Sequence, residues 1–253
     1  MPEHSTPIAD GIEVALVEDA EDFLGMSNCA AKAFGHQIHD AIWISFNPGW
    51  DTPEGTAAAA ARMAKRWQSV TKDKDGRPNT IFLKATVPDP DQPGKRLIAG
   101  MASWSQLSFV PGCGSEPSNK LEISKDVPAM KFESEDDELF AVQIWAGLMS
   151  KRVEIIKEKA ATDSPVAFTL DVCAVDPDFQ RRGIAAKLVQ YGLDEAERRG
   201  GLEAMTEASV MGRHVYKKMG FQPVAEIDYG VDEKLIKGRY LPSNLFMRTR
   251  PRP

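Results

Sequence analysis

The sequence predicts an α/β fold, α+β in the wider sense, with a central sheet and crossover helices. Two observations carry this. From residue 165 onward, strand-like runs alternate with helical patterns: "PVAFTLDVCAV" (165–175), "GIAAKLVQYGLDEAERRG" (183–200), "LEAMTEAS" (202–209) and "VMGRHVYKKMGF" (210–221). Such alternation argues for a sheet whose strands are joined by helices. Upstream, the β-branched and aromatic runs at 80–87 and 96–106 flank "PDPDQPGK" and read as two strands joined by a hairpin loop.

The other elements follow in order. Residues 1–10 carry two prolines and little apolar character and read as a loose tail. At 12–17, Ile12, Val14 and Leu16 alternate as in a half-buried strand. Residues 19–34 place Phe23, Met26, Ala30, Ala33 and Phe34 at helical spacing. An aromatic-rich loop or short helical piece, 35–53, precedes an alanine-rich stretch, 54–72, that favours helix on propensity. A turn is predicted at 72–79, and strands at 223–229 and 244–248.

After Gln106 the regular pattern lapses for some thirty residues, so 107–162 reads as an insertion. It closes in a long helix, 136–161, acidic at its start and basic towards its end as the helix dipole prefers. Leu139, Val142, Ile144, Trp145, Leu148 and Met149 are its expected inner face. The expected organisation is one domain over 1–253.

Composition excludes several classes. A formal net charge of −6 argues against broad nucleic-acid binding, which needs an excess of Lys and Arg. No apolar run of 18 residues predicts a membrane span, and the first residues lack the pattern of a secretory signal. Cys29, Cys113 and Cys173 lie far apart without CxxC spacing, which suggests thiols in a reducing compartment. The expectation is a cytoplasmic protein. His36 and His39 lack further ligand-type neighbours, so no metal is expected, and they are read as lining an entrance. Trp104 is expected in the core, with Trp43, Phe46 and Trp50 open between core and pocket wall.

The chemistry concentrates at "VDPDFQRRGIAAKLV", 175–189. A strand ends at Val175, a short turn follows, and Gly183 opens a helix. The first amides of a helix have no intrahelical partner and sit at the positive end of its dipole, so a slim entry can hold an anion such as a pyrophosphate. Gly183, Ala185 and Ala186 keep that entry slim, and Arg181 and Arg182 add positive charge.

These residues resemble the acetyl-CoA loop of the GNAT superfamily of acyl-CoA N-acyltransferases, Gln/Arg-x-x-Gly-x-Gly/Ala, matched by Gln180, Gly183 and Ala185. About 20 residues later, "LEAMTEASVMGRHVYKKMGFQPV" resembles the family's second signature through Glu207, Ala208, Ser209, Gly212, Tyr216, Gly220 and Phe221. The clear resemblance covers roughly 167–225, and the acetyl-CoA-binding region is taken as 165–225.

What the resemblance implies is a mixed, strongly twisted sheet whose strands around 170–175 and 202–208 splay apart. Pantetheine would pair with the backbone of Cys173, Ala174 and Val175 as an added strand does. Pyrophosphate would lie on the amides of Arg181, Arg182, Gly183, Ile184, Ala185 and Ala186. A backbone N–H near Cys173 would polarise the acetyl carbonyl.

The reaction implied is direct attack of a neutral amine on the thioester, with Tyr216 as general acid towards the leaving thiolate and Asp171 or Glu207 as the base. Both carboxylates also fit purely structural places on their strands. Acetyl-CoA is the expected acyl donor, and the acceptor a small-molecule or peptide amine. A catalytically silent acyl-CoA sensor or scaffold of the same fold is the alternative. Monomer and homodimer both stay open. A nucleotide-binding doubly wound fold is disfavoured, since no G-x-G-x-x-G turn follows an early strand.

Overall fold

The computed structural model describes residues 11–121 and 132–249. The expected loose tail at 1–10 lies outside them. Seven strands form a twisted open sheet in the order β1-β2-β3-β4-β5-β7-β6. They are β1 (Glu13–Leu16), β2 (Thr80–Pro88), β3 (Arg96–Leu107), β4 (Ala167–Val175), β5 (Glu203–Ser209), β6 (Gln222–Glu226) and β7 (Asn244–Arg248). Neighbours are antiparallel except β4 and β5, which are parallel.

Helices cover both faces, and the period-two alternation of β2 shows why. Ile81, Leu83, Ala85 and Val87 enter one cluster with Trp104, Phe168 and Leu188, whereas Phe82 packs on the other face with Phe23, Met26 and Met101. The first face is covered by α5 (Ile184–Arg198), whose Ile184, Leu188, Val189 and Ala196 recur at helical spacing. The second is covered by α1 (Asp22–Ala30) and α3 (Pro53–Gln68). Thr52 caps α3, and Pro53 occupies its first turn, where a missing N–H costs nothing.

Several boundaries differ from expectation for identifiable reasons. The helix expected to end near Phe34 continues as a seven-residue π-helical stretch, Ala31–Gln37, and its Gly35 lies hard against Trp50. Within the expected aromatic loop, Asp40 caps a short helix, α2 (Ala41–Phe46), by accepting from the amides of Ile42 and Trp43 at 2.9 and 3.1 Å. Leu16 is exposed and the buried residue there is Val17, which packs with Phe23, Met26 and Phe82 on the second face.

The long helix of the insertion is α4 (Glu135–Lys159). Its buried face is Phe140, Ala141, Ile144, Leu148, Met149, Arg152, Ile155 and Ile156, while Leu139 and Val142 are exposed, correcting the expected inner face. The helix at 210–221 is only α6 (Arg213–Lys218), and the last helical turn is α7 (Glu233–Ile236). No described helix is long and apolar enough to cross a membrane.

Trp104 is fully buried and stacks on Phe168 with ring centroids 5.4 Å apart. It meets α5 at Gly192, where an added Cβ would come within 2.0 Å of the indole. Alanine is the better helix former by about 1 kcal/mol, yet the indole has nowhere to retreat. Gly192→Ala is therefore expected to destabilise the fold by about 1–3 kcal/mol, the usual cost of overpacking. Urea denaturation measures it, and an unchanged or raised midpoint would contradict this packing.

Candidate active site

The site begins where β4 and β5 part. They pair only over Ala167 to Leu170 against Glu203 to Thr206. β4 then stays with β3 as far as Val175, and β5 stays with β7 as far as Ser209. The parting coincides with a bulge: Ser103 pairs with Val172 and Trp104 with Leu170, which leaves Asp171 as the extra residue. A bulge bends its strand and raises local twist, so β4 turns away and its inner edge is left free. Beyond the bulge, the Asp176 amide bonds the Ala99 carbonyl on the β3 side. Alternation then aims the backbone groups of Cys173 and Val175 into the gap and those of Ala174 towards β3.

The free edge leads to the N-terminus of α5. Gly183 is the N-cap residue at φ +88°, with no side-chain cap on the helix amides. A Cβ at Gly183 would meet open space, so the positive φ, rather than crowding, calls for glycine. Arg181 also has positive φ, +65°, which turns successive amides of the loop towards one side. Arg181 and Arg182 are exposed, with Arg182 lying over the Phe179 ring and donating to the Asp178 carbonyl. Ile184 is anchored in the core, and Ala185 and Ala186 are half-buried.

Gln180 works within the loop. Its Nε2 donates to the Val175 carbonyl at 3.0 Å, and its amide pairs reciprocally with Gln37 at 3.0 and 2.8 Å. Lys32 adds an ion pair to Asp176 at 2.7 Å. These contacts tie the π-helical stretch to the turn after β4.

At the floor of the gap is a cavity of about 140 Å³, lined by Phe34, Asp40, Ile42, Trp43, Leu148, Met149, Leu170, Asp171, Val172, Cys173, Thr206, Glu207, Ser209, Tyr216 and Asn244. Asp171 and Cys173 of β4, Glu207 of β5 and Tyr216 of α6 thus converge from three separate stretches of sequence. The histidines do not join them. His36 and His39 pack edge-on against Trp50.

Arg152 of α4, only 4% exposed, organises the two strand carboxylates. Its Nε donates to Glu207 Oε1 at 3.0 Å, its Nη2 bonds Glu207 Oε2, and its Nη1 reaches Asp171 Oδ1 at 2.6 Å. Asp171 also accepts from Thr169 at 3.0 Å, Ser105 at 2.6 Å and Arg66 at 3.0 Å. Each of its oxygens therefore carries two donors. Burial alone would raise the Asp171 carboxyl, but the Arg152 and Arg66 charges and the Ser105 bond hold it below the ordinary aspartate range. Burial pushes the Glu207 carboxyl up, with Arg152 pulling the other way.

Tyr216 is buried, and no hydrogen bond reaches its hydroxyl among the described residues. Burial, then the neighbouring Cys173, raises the phenol well above its usual value. Cys173 itself is pushed up to about 12 by burial. Any thiolate formed in this cavity would meet the same low polarity, so a reluctant phenol faces a correspondingly basic sulfur.

Sequence reasoning missed Arg152, Arg66, Ser105 and Asp40. Arg152 was detectable as a charge inside the apolar stripe Leu148, Met149, Ile155, Ile156, and Asp40 as a capping residue directly before "AIWISF".

Residues 149–223 match the family model described as an acetyltransferase (GNAT) domain. Arylalkylamine N-acetyltransferase 2 from Aedes aegypti is similar in fold at 17% identity and TM-score 0.57, over 95% of this chain and 99% of that one. A histone acetyltransferase HPA2 and related acetyltransferase structure from Corynebacterium glutamicum is similar at 16% identity and TM-score 0.50, over 96% and 98%. No match was found among curated protein sequences. The splayed sheet is the fold of these solved acetyltransferase structures, and within it the segment 149–223 is similar to the GNAT acetyltransferase domain.

Replacing Arg152 with Met would strip Glu207 of its cation and leave Asp171 with Arg66 alone, a change that costs about 3–5 kcal/mol. The sign with pH follows from Asp171. Its depressed folded value gives stability that is complete above about pH 4 and is lost as pH falls through that folded value. The stability gap between wild type and Arg152→Met, read by urea denaturation, is therefore expected to narrow as pH falls, first as Glu207, freed of Arg152, takes up a proton, and further as pH falls through the low folded value of Asp171. A gap independent of pH would contradict the ion cluster.

Proposed function

We propose that the protein transfers the acetyl group of acetyl-CoA to a primary amine, by direct attack of the amine. The observation that carries this is the free inner edge of β4, which runs from the cavity to the uncapped amides of α5. A pantetheine arm needs such an edge to pair with, and a pyrophosphate needs such amides. Bound there, the donor supplies an acetyl group activated as a thioester.

The residues divide the work. Cys173 and Val175 offer backbone groups to the arm, with Ala174 holding the strand to β3. The loop from Gln180 through Arg181, Arg182 and Gly183 to Ile184, Ala185 and Ala186 takes the pyrophosphate. Gln180 must release the Val175 carbonyl for that group to pair elsewhere. A backbone N–H near Cys173 faces the developing oxyanion, and Tyr216 protonates the leaving sulfur. Of the two strand carboxylates, Glu207 is the less encumbered, but both its oxygens accept from Arg152, and Asp171 has no free lone-pair direction. The negatively charged chain favours cationic acceptors, and its three free thiols suit a cytosolic setting.

Isothermal titration with acetyl-CoA is expected to show micromolar or tighter binding. Tyr216→Phe is expected to lower kcat for free-CoA release about a hundredfold or more, with acetyl-CoA affinity within twofold of wild type. Binding with no turnover on any amine would favour the silent sensor, and no binding would remove the donor assignment.

A further inference from the structure

The cavity holds three carboxylates, and they are not equivalent. Asp171 and Glu207 share Arg152. Asp40 is 6% exposed and has no guanidinium or ammonium partner among the described residues. Both its α2 amide bonds end on Oδ1, and among the described residues no hydrogen bond reaches Oδ2. A buried carboxylate without a cation is costly, so a site that keeps one open is matched to a positive charge from outside.

A second observation concerns Asn244. Its Oδ1 is buried without a hydrogen-bond partner among the described residues, and the residue lines the same cavity. Asp40 and Asn244 line the same cavity, and the Tyr229 phenol is raised by burial and then by Asp40. The adjoining wall is apolar and flat: Phe34 and Trp43 stack at 5.8 Å between centroids and 28° between planes.

We propose that Asp40, with Asn244 beside it, receives the ammonium group of a primary amine carried on a flat apolar body that lies along Phe34 and Trp43, and that Asp40 takes the proton the amine must lose. This rests on the acetyl-transfer reading and names its acceptor class. The proton balance closes. The ammonium gives one proton to Asp40, and the nitrogen lone pair forms the C–N bond as the C–S bond breaks. Tyr216 protonates the sulfur, and the nitrogen's second proton restores the phenol. The third stays on the amide, and Asp40 later releases its proton to water. Burial pushes the Asp40 carboxyl above the ordinary aspartate range, against its two amide bonds, which suits a proton acceptor.

Asp40→Asn is the discriminating variant, because asparagine caps a helix as well as aspartate does and only the charge is lost. Wild type and variant would be titrated with acetyl-CoA, then their CoA complexes with 2-phenylethylamine, and both assayed for free-CoA release on that amine. The expected result is unchanged thermal midpoint and acetyl-CoA affinity, with amine affinity and kcat/KM lower by roughly thirtyfold or more, as befits a lost charge-assisted hydrogen bond. Equal amine binding by both proteins, or no amine binding by the wild type, would overturn the proposal. Charge-dependent amine binding without turnover would retain the Asp40 site and overturn acetyl transfer instead.

Discussion

The buried contact between Arg152 and the carboxylates of Asp171 and Glu207 is the constraint on which the site depends. The two carboxylates lie on strands that have stopped pairing, and a guanidinium on α4 bonds both. Without it, the parted strands would expose two like charges to each other in a low-polarity interior, where their repulsion is strongest. The bulge at Asp171 opens the sheet and the arginine holds it at that opening. Each feature needs the other: an unbulged β4 would keep pairing with β5, and an unpaired carboxylate at the bulge would seek water.

The same arrangement sorts the carboxylates by role. Asp171 accepts from four donors, and the charges of Arg152 and Arg66 with the Ser105 bond hold its carboxyl low against burial. Glu207 faces the cavity but is gripped on both oxygens by one guanidinium. Among the described residues, Asp40 accepts only from two backbone amides, those of Ile42 and Trp43 at the start of α2. Three acids in one small space are distinguished by what else bonds them.

Legibility in the sequence followed the range of the interactions. The loop at the entry of α5 was readable because its devices are local: Gln180, Gly183 and Ala185 lie within six residues, and the strand, turn and helix around them each have their own periodicity. Tyr216 was readable as part of a second local signature, and Trp104 as core from its place in a strand. Arg152 escaped because its partners are 19 and 55 residues away. Nothing nearby distinguishes it from a solvated arginine except its position in an apolar stripe. Asp171 and Glu207 could be placed on strands, but which face they took depended on a bulge, and one residue's slip reverses that outcome. The π-helical stretch was hidden because its cause, the packing of Gly35 against Trp50, is tertiary.

The walls of the cavity and the amide cradle come from different parts of the chain. Phe34, Asp40, Ile42 and Trp43 precede the sheet's first hairpin, Leu148 and Met149 lie on α4, and Asn244 lies on the strand that closes the far side. The loop at 180–186 shares none of these segments. Drift in the walls can therefore retune what enters the cavity without disturbing the loop at 180–186, and the two can evolve at different speeds. The amide pair between Gln37 and Gln180 bridges that division, so a change at either glutamine would be felt by both halves at once.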